Sequence, residues 1–401
     1  MLDPVYLDHV SDDIVELYSA LDQAVVRDIV RRLAKAETMT ESARWQILRA
    51  QDSGLLYDEI IKEASKISNA SENQVRMIFE DAGITATTYD KRIYEAAGLS
   101  PPPLKMSPAA LGVLNAGLSK TNGYLHNLTM TTASQAQQTY IRVATMAEMQ
   151  IESGAFDYVT AIRQAIRGAA CDGAKVAYPS GHIDRLDVAV RRAVLTGVGQ
   201  TTGQIGLAYA EDMGCDLMEI TAHAGARPSH AEWQGKVVSL SGRKGYLSLG
   251  TIGYGTGAGF KGWNCRHDWF PFFEGVSESV YPRSEIERMN NASVTINGEN
   301  ISLYEAMQKQ RKMERTIRTT KRELVGIEEG IKTSKNDDLR NALRNDFNSA
   351  AVRLKKQEKT LKEFLHKAGL DNDSARVQVR GFGRGQAQKA ISADKKYDPN
   401  L

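Results

Sequence analysis

The sequence has little of what marks secreted, membrane-spanning or strongly nucleic-acid-binding proteins. It contains only three cysteines, Cys171, Cys215 and Cys265, and their odd number and wide spacing argue against a disulfide framework. No run of about 18 uncharged apolar residues occurs, so no membrane span is predicted. The first residues lack the basic start and apolar stretch of a signal peptide. The formal net charge is only +2, so any nucleic-acid surface must be a local patch.

The 401 residues, 42% of them hydrophobic, are enough for a globular protein of two or three domains. Residues 1–98 have helical periodicity, and further helices are predicted to begin at Thr40 and Ser71 because an acid follows each. Four prolines within residues 99–109 predict a linker. Apolar residues of the first region recur on one stripe: Ile14, Leu17, Leu21, Val25, Ile29 and Leu33.

The sequence pattern changes part-way through residues 110–300. Helical patterns come first, and one of them carries an apolar face formed by Leu186, Val190, Val194 and Val198. From 216 to 280, short apolar runs between turn residues predict a small irregular module of strands and turns. Its glycine-rich stretch, GYLSLGTIGYGTGAGFKGWNC, lacks the Lys-Ser/Thr ending of a phosphate-binding P-loop and opens no helix. A compact irregular loop is the better prediction for it.

The C-terminal region is predicted to be helical again over residues 301–370. Two apolar stripes separated by KTSKNDD predict antiparallel helices at about 303–332 and 337–367, a coiled-coil hairpin that projects from the body. Residues 371–401 form a basic, Gly-containing tail that is expected to be extended or ordered by a partner. The tail supplies the candidate nucleic-acid-binding residues, which are Arg376, Arg380, Arg384 and Lys389.

These patterns predict an α+β fold that is mainly α. Its parts are a helical N-terminal half, a small strand-and-turn module with a Gly-rich loop, and a C-terminal helical hairpin.

The strongest chemical signal is a group of four residues in the strand-and-turn module. His223 and His230 lie in HAGARPSH, and Cys265 and His267 lie in NCRH. Zinc takes four nitrogen or sulfur ligands, often as two pairs from separate turns, so these residues are the candidate ligands of a structural Zn²⁺. The alternative is that His223 and His230 cap turns, Cys265 is a small core residue and His267 is a surface group. A catalytic Cys–His pair has less support because no third orienting group is evident.

A zinc-dependent enzyme is a second interpretation of the same residues. His230-Ala231-Glu232 followed by NCRH resembles the signature of zinc deaminases, in which the glutamate shuttles a proton. The chain lacks the Pro-Cys pair and the second cysteine of that signature. An open coordination position on the metal, with Glu232 beside it, would favour a deaminase-like enzyme or a hydrolase.

Three blocks together resemble the phage minor capsid protein 2 family, within the wider group of MuF-like head-morphogenesis proteins. The blocks are ARPSHAEWQGKV, GYGTGAGFKGWNCRHDWFPFFEG and YEAMQKQRKMERTIRTTKREL. The resemblance implies a structural, non-enzymatic virion protein, made in the host cytoplasm and placed inside the head near the portal. The implied partners are the portal protein, major capsid or scaffold proteins, and packaged phage DNA, with no membrane.

The resemblance and the residues together give specific expectations. In the wider group a cysteine often replaces His267, and an acidic residue often lies near His223. Cys265 and His267 are expected to clamp the Gly-rich loop onto the RPSH turn, with or without zinc, and the aromatics at 269, 270, 272 and 273 are expected to be core. The apolar stripes at 14–33 and 186–198 are candidates for portal docking, with the hairpin and tail facing the head interior.

Overall fold

The structure is a computed structural model that describes residues 1–35 and 42–397, the side chains of 42–48 and 397 excepted. It is mainly helical with a few short strands, which confirms the predicted α+β, mainly α class. The helix start predicted at Thr40 lies outside the described residues. Among the helices that are described, none combines the length and the apolar character needed to cross a membrane.

Long helices dominate the chain, and the longest is continuous where a break was expected. The helix start predicted at Ser71 is wrong, because Ser71 is itself buried between the buried residues Ile67 and Val75 and the apolar face simply continues. The helices are α1 (Pro4–His9), α2 (Asp12–Lys35), α3 (Ser42–Ala96), α4 (Pro108–Glu152), α5 (Tyr158–Asp172), α6 (Leu186–Asp212), α7 (Pro228–Ala231), α8 (Arg283–Asn290), α9 (Leu303–Thr333), α10 (Asp337–Ala368) and α11 (Arg384–Tyr397).

Within the described residues the strands are short and form three separate sheets. A four-stranded sheet has the order β5-β4-β3-β6, in which β3 is antiparallel to both neighbours and β4 is parallel to β5. Two antiparallel pairs, β1 with β2 and β7 with β8, complete the set. The strands are β1 (Lys175–Ala177), β2 (Ile183–Arg185), β3 (Leu217–Ile220), β4 (Val237–Ser239), β5 (Leu247–Ser248), β6 (Trp269–Phe272), β7 (Ser293–Ile296) and β8 (Glu299–Ser302).

The chain forms two compact units that each combine distant segments. Unit 1 contains Met1–Val15, Ala70–His126 and Val190–Met307, and unit 2 contains Glu16–Asn69, Asn127–Ala189 and the chain from Gln308 onward. These limits do not coincide with the predicted domain boundaries. The proline-rich segment 99–109 lies within unit 1, where the Tyr209 hydroxyl donates to the Pro102 carbonyl at 2.8 Å. It is a packed connection between α3 and α4.

In unit 1, the small sheet is covered by α6 through close backbone approaches. All four residues of β3 are buried. Trp269 at the start of β6 donates its Nε1–H to the Gly203 carbonyl of α6 at 3.2 Å. A side chain at Gly206 would press on the same indole. Glycine on this face of α6 therefore lets the helix lie close to the sheet that positions the candidate site.

In unit 2, α9 and α10 form the predicted hairpin, and its bounds agree closely with the prediction. Thr320 donates to Gln357 at 2.9 Å, while Gly330 further along α9 approaches Leu343 near the start of α10, so the two helices are antiparallel. Asn336 caps α10 by accepting from the Leu339 amide, which explains the break.

The expected projection of the hairpin is wrong. Residues 322–330 of α9 are all buried, and their charges are paired by other helices of unit 2. Arg322 contacts Asp22 of α2 at 2.9 Å, and Glu323 accepts from Arg167 of α5 at 3.1 Å. The sequence pattern of α9 is that of a solvent-exposed helix face, but its charged residues form ion pairs inside a helical bundle.

Both apolar stripes proposed for portal docking are used inside the protein. Ile14 and Leu33, at the two ends of the first stripe, are fully buried, as are Val190 and Val198 of the second. The expectation that these stripes offer a docking surface is therefore wrong. Intramolecular packing is the usual role of such stripes.

The tail differs from its expected extended conformation, because a turn at Ala375–Val377 and the helix α11 fold within unit 2. Buried Ala390 and Ala393 give α11 a small apolar face. Arg376 is buried and donates to Asp373 at 2.7 Å, and Lys389 reaches Glu328 at 2.5 Å. Of the candidate nucleic-acid-binding residues, Arg376 is thus the buried one, whereas Arg380, Arg384 and Lys389 are exposed.

Replacing Gly326 by alanine tests the close approach of α9 to α5. A Cβ at this position would overlap the Cβ of Ala170 and press on Val26. We expect Gly326→Ala to lower the free energy of unfolding by about 1–3 kcal/mol, as overpacking does. Gly168→Ala, at an exposed position of α5, is the matched control, because a Cβ there meets open space and should be neutral or slightly stabilising. Urea unfolding measures both, and equal stability of the two variants would contradict the close packing.

The contact between α11 and α9 predicts a pH-dependent effect. Burial alone would raise the pKa of Glu328, but hydrogen bonds from Lys389 and Gln386 hold the pKa below its ordinary value. The stabilisation is therefore present above about pH 4.5 and is lost as pH falls below it. Lys389→Ala should cost under about 1 kcal/mol at pH 7, since Lys389 is largely exposed, and less at pH 3.5, which is below the ordinary pKa of a glutamate. Unfolding of this variant and of Lys395→Ala, at both pH values, would show whether the effect belongs to this pair.

Candidate metal centre

Three of the four predicted ligands meet in a buried cluster of unit 1. One ligand atom each from His230, Cys265 and His267 lies within 4.8 Å of the others. His230 is on α7, a single turn that begins at Pro228, whose fixed φ suits the first helical position. Cys265 and His267 lie in the segment that leads into β6. All three side chains are at most 3% exposed.

Hydrogen bonds determine which ring nitrogen of each histidine carries the proton. The Nε2 of His230 lies 2.9 Å from the Ala258 carbonyl oxygen, which can only accept, so this nitrogen carries the hydrogen. The Nε2 of His267 lies 3.0 Å from Oε1 of Gln234. That oxygen also accepts from the His223 amide at 3.0 Å, so His267 donates to it as well. Both neutral rings therefore have their lone pair on Nδ1.

Gln234 is itself oriented by a chain of hydrogen bonds. Its Nε2 donates to Oδ1 of Asn290 on α8 at 2.6 Å, and Asn290 donates to the Ala231 carbonyl at 3.0 Å. This chain fixes the direction of the Gln234 amide and hence the tautomer of His267. Neither Gln234 nor Asn290 was predicted as a site residue, because neither is a typical metal ligand.

The two Nδ1 atoms converge on one thiol. Nδ1 of His267 is 3.7 Å from Sγ of Cys265, and Nδ1 of His230 is 4.0 Å from the same sulfur. A thiol has one hydrogen, so it can donate to only one of the two nitrogens. A buried acceptor without a donor costs about 1–3 kcal/mol. The three side chains by themselves therefore leave one of the two Nδ1 atoms without a hydrogen-bond donor.

His223, the fourth predicted ligand, lies beside the cluster. Its ring stacks on that of His267 with centroids 4.5 Å apart, and its Nδ1 donates to the Ala224 carbonyl at 3.0 Å. Burial and the nearby Arg266 charge lower the pKa of His223 to about 4. Burial likewise lowers the pKa values of His230 and His267. All three rings are therefore neutral near pH 7.

Glu232, the proton shuttle of the enzymatic interpretation, does not face the cluster. It follows α7 as the C-cap residue and is exposed to solvent. Among the described residues that surround the three ligand atoms, no carboxylate joins the group. The cluster thus lacks the glutamate that would shuttle the proton in a deaminase-like site.

The RPSH turn holds the glycine-rich loop through Arg227 and His230, whereas the sequence had assigned this contact to Cys265 and His267. Besides the bond from His230, Arg227 donates to the carbonyls of Ala258 and Trp263 at 3.4 and 3.2 Å. Gly259 lies so close to the Gly253 backbone that a Cβ would overlap it, which explains why glycine is needed there. The loop is compact and irregular, and its carbonyl groups face the turn.

A model of the phage minor capsid protein 2 family matches residues 2–366, nearly the whole chain. The chain belongs to this family. The match includes every residue of the buried cluster and confirms the resemblance seen in the sequence blocks. This minor capsid protein is accordingly a structural protein of a bacteriophage virion.

A curated relative agrees with this assignment. It is a protein of Lactococcus phage LL-H described as "Structural protein", 24% identical over 291 residues, which covers 65% of this chain and 76% of the relative. No solved structure matches.

The aromatic residues after the cluster are only partly the core that was predicted for this minor capsid protein. Trp269 and Phe270 are buried, whereas Phe272 and Phe273 are half-buried. The two buried rings have different neighbours. Trp269 stacks on Tyr254 of the glycine-rich loop, with centroids 5.2 Å apart, and Phe270 meets the edge of Tyr89 from α3. The β6 strand thereby joins the loop to the helical part of unit 1.

A buried ion pair next to the cluster was not predicted. Nζ of Lys261 contacts Oδ1 of Asp268 at 2.5 Å, with both side chains 2% exposed. Asp268 also accepts from the amides of Leu2 and Trp269. Burial alone would raise the pKa of Asp268, but the Lys261 ammonium keeps it below its ordinary value. The pair therefore joins the loop, β6 and the N-terminal segment.

Removing one partner of this pair should be more harmful than removing both charges. Lys261→Met leaves the Asp268 carboxylate buried without its cation, and we expect a loss of about 3–5 kcal/mol in the free energy of unfolding. The double variant Lys261→Met with Asp268→Asn has no uncompensated charge and should recover a large part of that loss. Denaturant unfolding at pH 7 measures both, and a double variant less stable than Lys261→Met would refute this account.

Proposed function

We propose that this minor capsid protein is a non-enzymatic component of the phage head, associated with the portal, that aids head morphogenesis. The observation that carries the proposal is the family match, which extends over residues 2–366 and so includes segments of both units. The major capsid and scaffold proteins are the further partners to expect during assembly. Its location is the capsid interior near the portal, reached from the host cytoplasm where heads assemble.

The buried cluster serves this function as a structural element. Residues His230, Cys265 and His267 lie where the RPSH turn, the glycine-rich loop and β6 meet. Strands of two to four residues bury little apolar area, so a small module of this kind needs additional links. The enzymatic alternative is less well supported, because Glu232 is exposed and stands apart from the cluster.

Portal docking requires a surface other than the two buried stripes. An exposed apolar face occurs on α4 within unit 2, where Met146 is 52% exposed, Met149 is 63% exposed and Ile141 is 39% exposed. Neighbouring exposed apolar side chains commonly mark interaction sites. Methionine also adapts its shape to a partner. We assign portal docking to this face.

Contact with packaged DNA is assigned to Arg380 and Arg384, which are exposed at the start of the tail. Arg376 and Lys389 already pair with Asp373 and Glu328. With a whole-chain charge of only +2, this contact is local and weakens as salt rises.

The proposal is tested by head incorporation of the full chain. Heads are assembled in cells with and without the portal protein, and the copies of this chain per head are counted by quantitative mass spectrometry. We expect the chain in heads that contain a portal and a large loss, tenfold or more, in heads without one. The double variant Met146→Glu with Met149→Glu should show the same loss, because two buried charges at an apolar interface oppose binding.

The matched control is Ser134→Glu with Gln138→Glu, which adds the same charge at exposed polar positions of α4. This control should enter heads normally. Equal incorporation with and without the portal would contradict portal association. Normal incorporation of the methionine variant would instead show that the α4 face is not the docking surface, while leaving portal association itself intact.

A further inference from the structure

We propose that Sγ of Cys265, Nδ1 of His230 and Nδ1 of His267 bind one zinc ion, and that His223 is not a ligand. This site is independent of portal association, since it concerns only the interior of unit 1. It differs from the four-ligand set predicted from the sequence in the number of ligands and in naming the ligand atoms.

The direction of the lone pairs is the first argument. Both imidazoles donate their Nε2–H to a protein oxygen, Ala258 carbonyl for His230 and Gln234 for His267. Histidines that bind metals almost always donate the other ring N–H in this way, to a backbone carbonyl, a carboxylate or water. The remaining nitrogens point at the same sulfur. The protein therefore provides oriented ligands before any ion arrives.

The spacing is the second argument. Tetrahedral zinc, with bonds of about 2.3 Å to sulfur and 2.0–2.1 Å to nitrogen, separates a sulfur and a nitrogen ligand by about 3.6 Å. The observed separations from Sγ of Cys265 are 3.7 Å to His267 and 4.0 Å to His230. Movements of a few tenths of an ångström therefore bring both nitrogens to the required distance from the sulfur.

The chemistry of the donors selects the kind of ion. The cluster offers one sulfur and two nitrogens, and among the described residues no carboxylate belongs to it. Magnesium and calcium require oxygen ligands, whereas thiolate and imidazole together suit zinc. Ion binding also resolves the conflict of one thiol hydrogen and two acceptor nitrogens, because the Cys265 thiol releases its proton to solvent and binds as the thiolate, and both nitrogen lone pairs are then used.

His223 has a different role, which is to cover the site. His223 does not belong to the group of ligand atoms that lie within 4.8 Å of one another, and its ring lies against the face of His267. We therefore place His223 outside the ligand set, as a ring that covers the site.

The test measures zinc in the full chain, produced with added zinc and purified without chelators. We expect close to one zinc per chain, and under about 0.1 for Cys265→Ser and His267→Ala. His223→Ala and Cys215→Ser, which changes another buried free thiol, should keep their zinc. Circular dichroism checks that each variant is folded. Cobalt substitution of the wild-type chain should give a thiolate charge-transfer band, a result that needs no variant.

Three outcomes would overturn the inference. They are less than about 0.2 zinc per wild-type chain after incubation with zinc, a cobalt complex without thiolate character, and equal loss of zinc in Cys215→Ser and Cys265→Ser. Loss of zinc in a folded His223→Ala variant would overturn the three-ligand assignment. None of these results changes head incorporation of the Met146 and Met149 variant, so failure of this inference is separable from failure of the portal proposal.

Discussion

Unit 1 depends on the hydrogen bonds between the RPSH turn and the carbonyl groups of the glycine-rich loop. Its sheet has strands of only two to four residues, and such strands supply few ladder hydrogen bonds and little apolar burial. The loop carbonyls that Arg227 and His230 contact give the module a second set of links. The same bond that ties His230 to Ala258 also fixes its tautomer. Loop geometry and ligand orientation are therefore consequences of one interaction.

Unit 2 contains a highly charged helix, α9, that is nevertheless buried, and ion pairs with neighbouring helices make this burial possible. Glu323 of α9 accepts from Arg167 at 3.1 Å and also pairs with Arg353 of α10, so one carboxylate joins three helices. Breaking such a buried pair costs far more than a surface pair contributes. We infer that the charges specify which helices α9 may contact, while Gly326 permits the close approach to α5.

The sequence predicted local structure better than it predicted partners. The bounds of α9 and α10 followed from apolar periodicity and a polar break, both of which are local. The burial of α9 could not be predicted, because the sequence does not show whether a charged residue such as Glu323 is solvated by water or paired with Arg167. Cys265 and His267 could be predicted as site residues because cysteine and histidine are common metal ligands. Gln234 could not, because it acts only through its position between His267 and Asn290. The folded tail was missed because small residues such as Ala390 give a weak apolar signal.

X-ray absorption spectroscopy at the zinc edge tests the central claim most directly, because it reports the atoms bound to the ion. The account predicts one sulfur at about 2.3 Å and two imidazole nitrogens at about 2.0–2.1 Å, with one further light atom. A first shell without sulfur, made only of oxygen and nitrogen, would contradict the assignment of Cys265, His230 and His267 as the ligands.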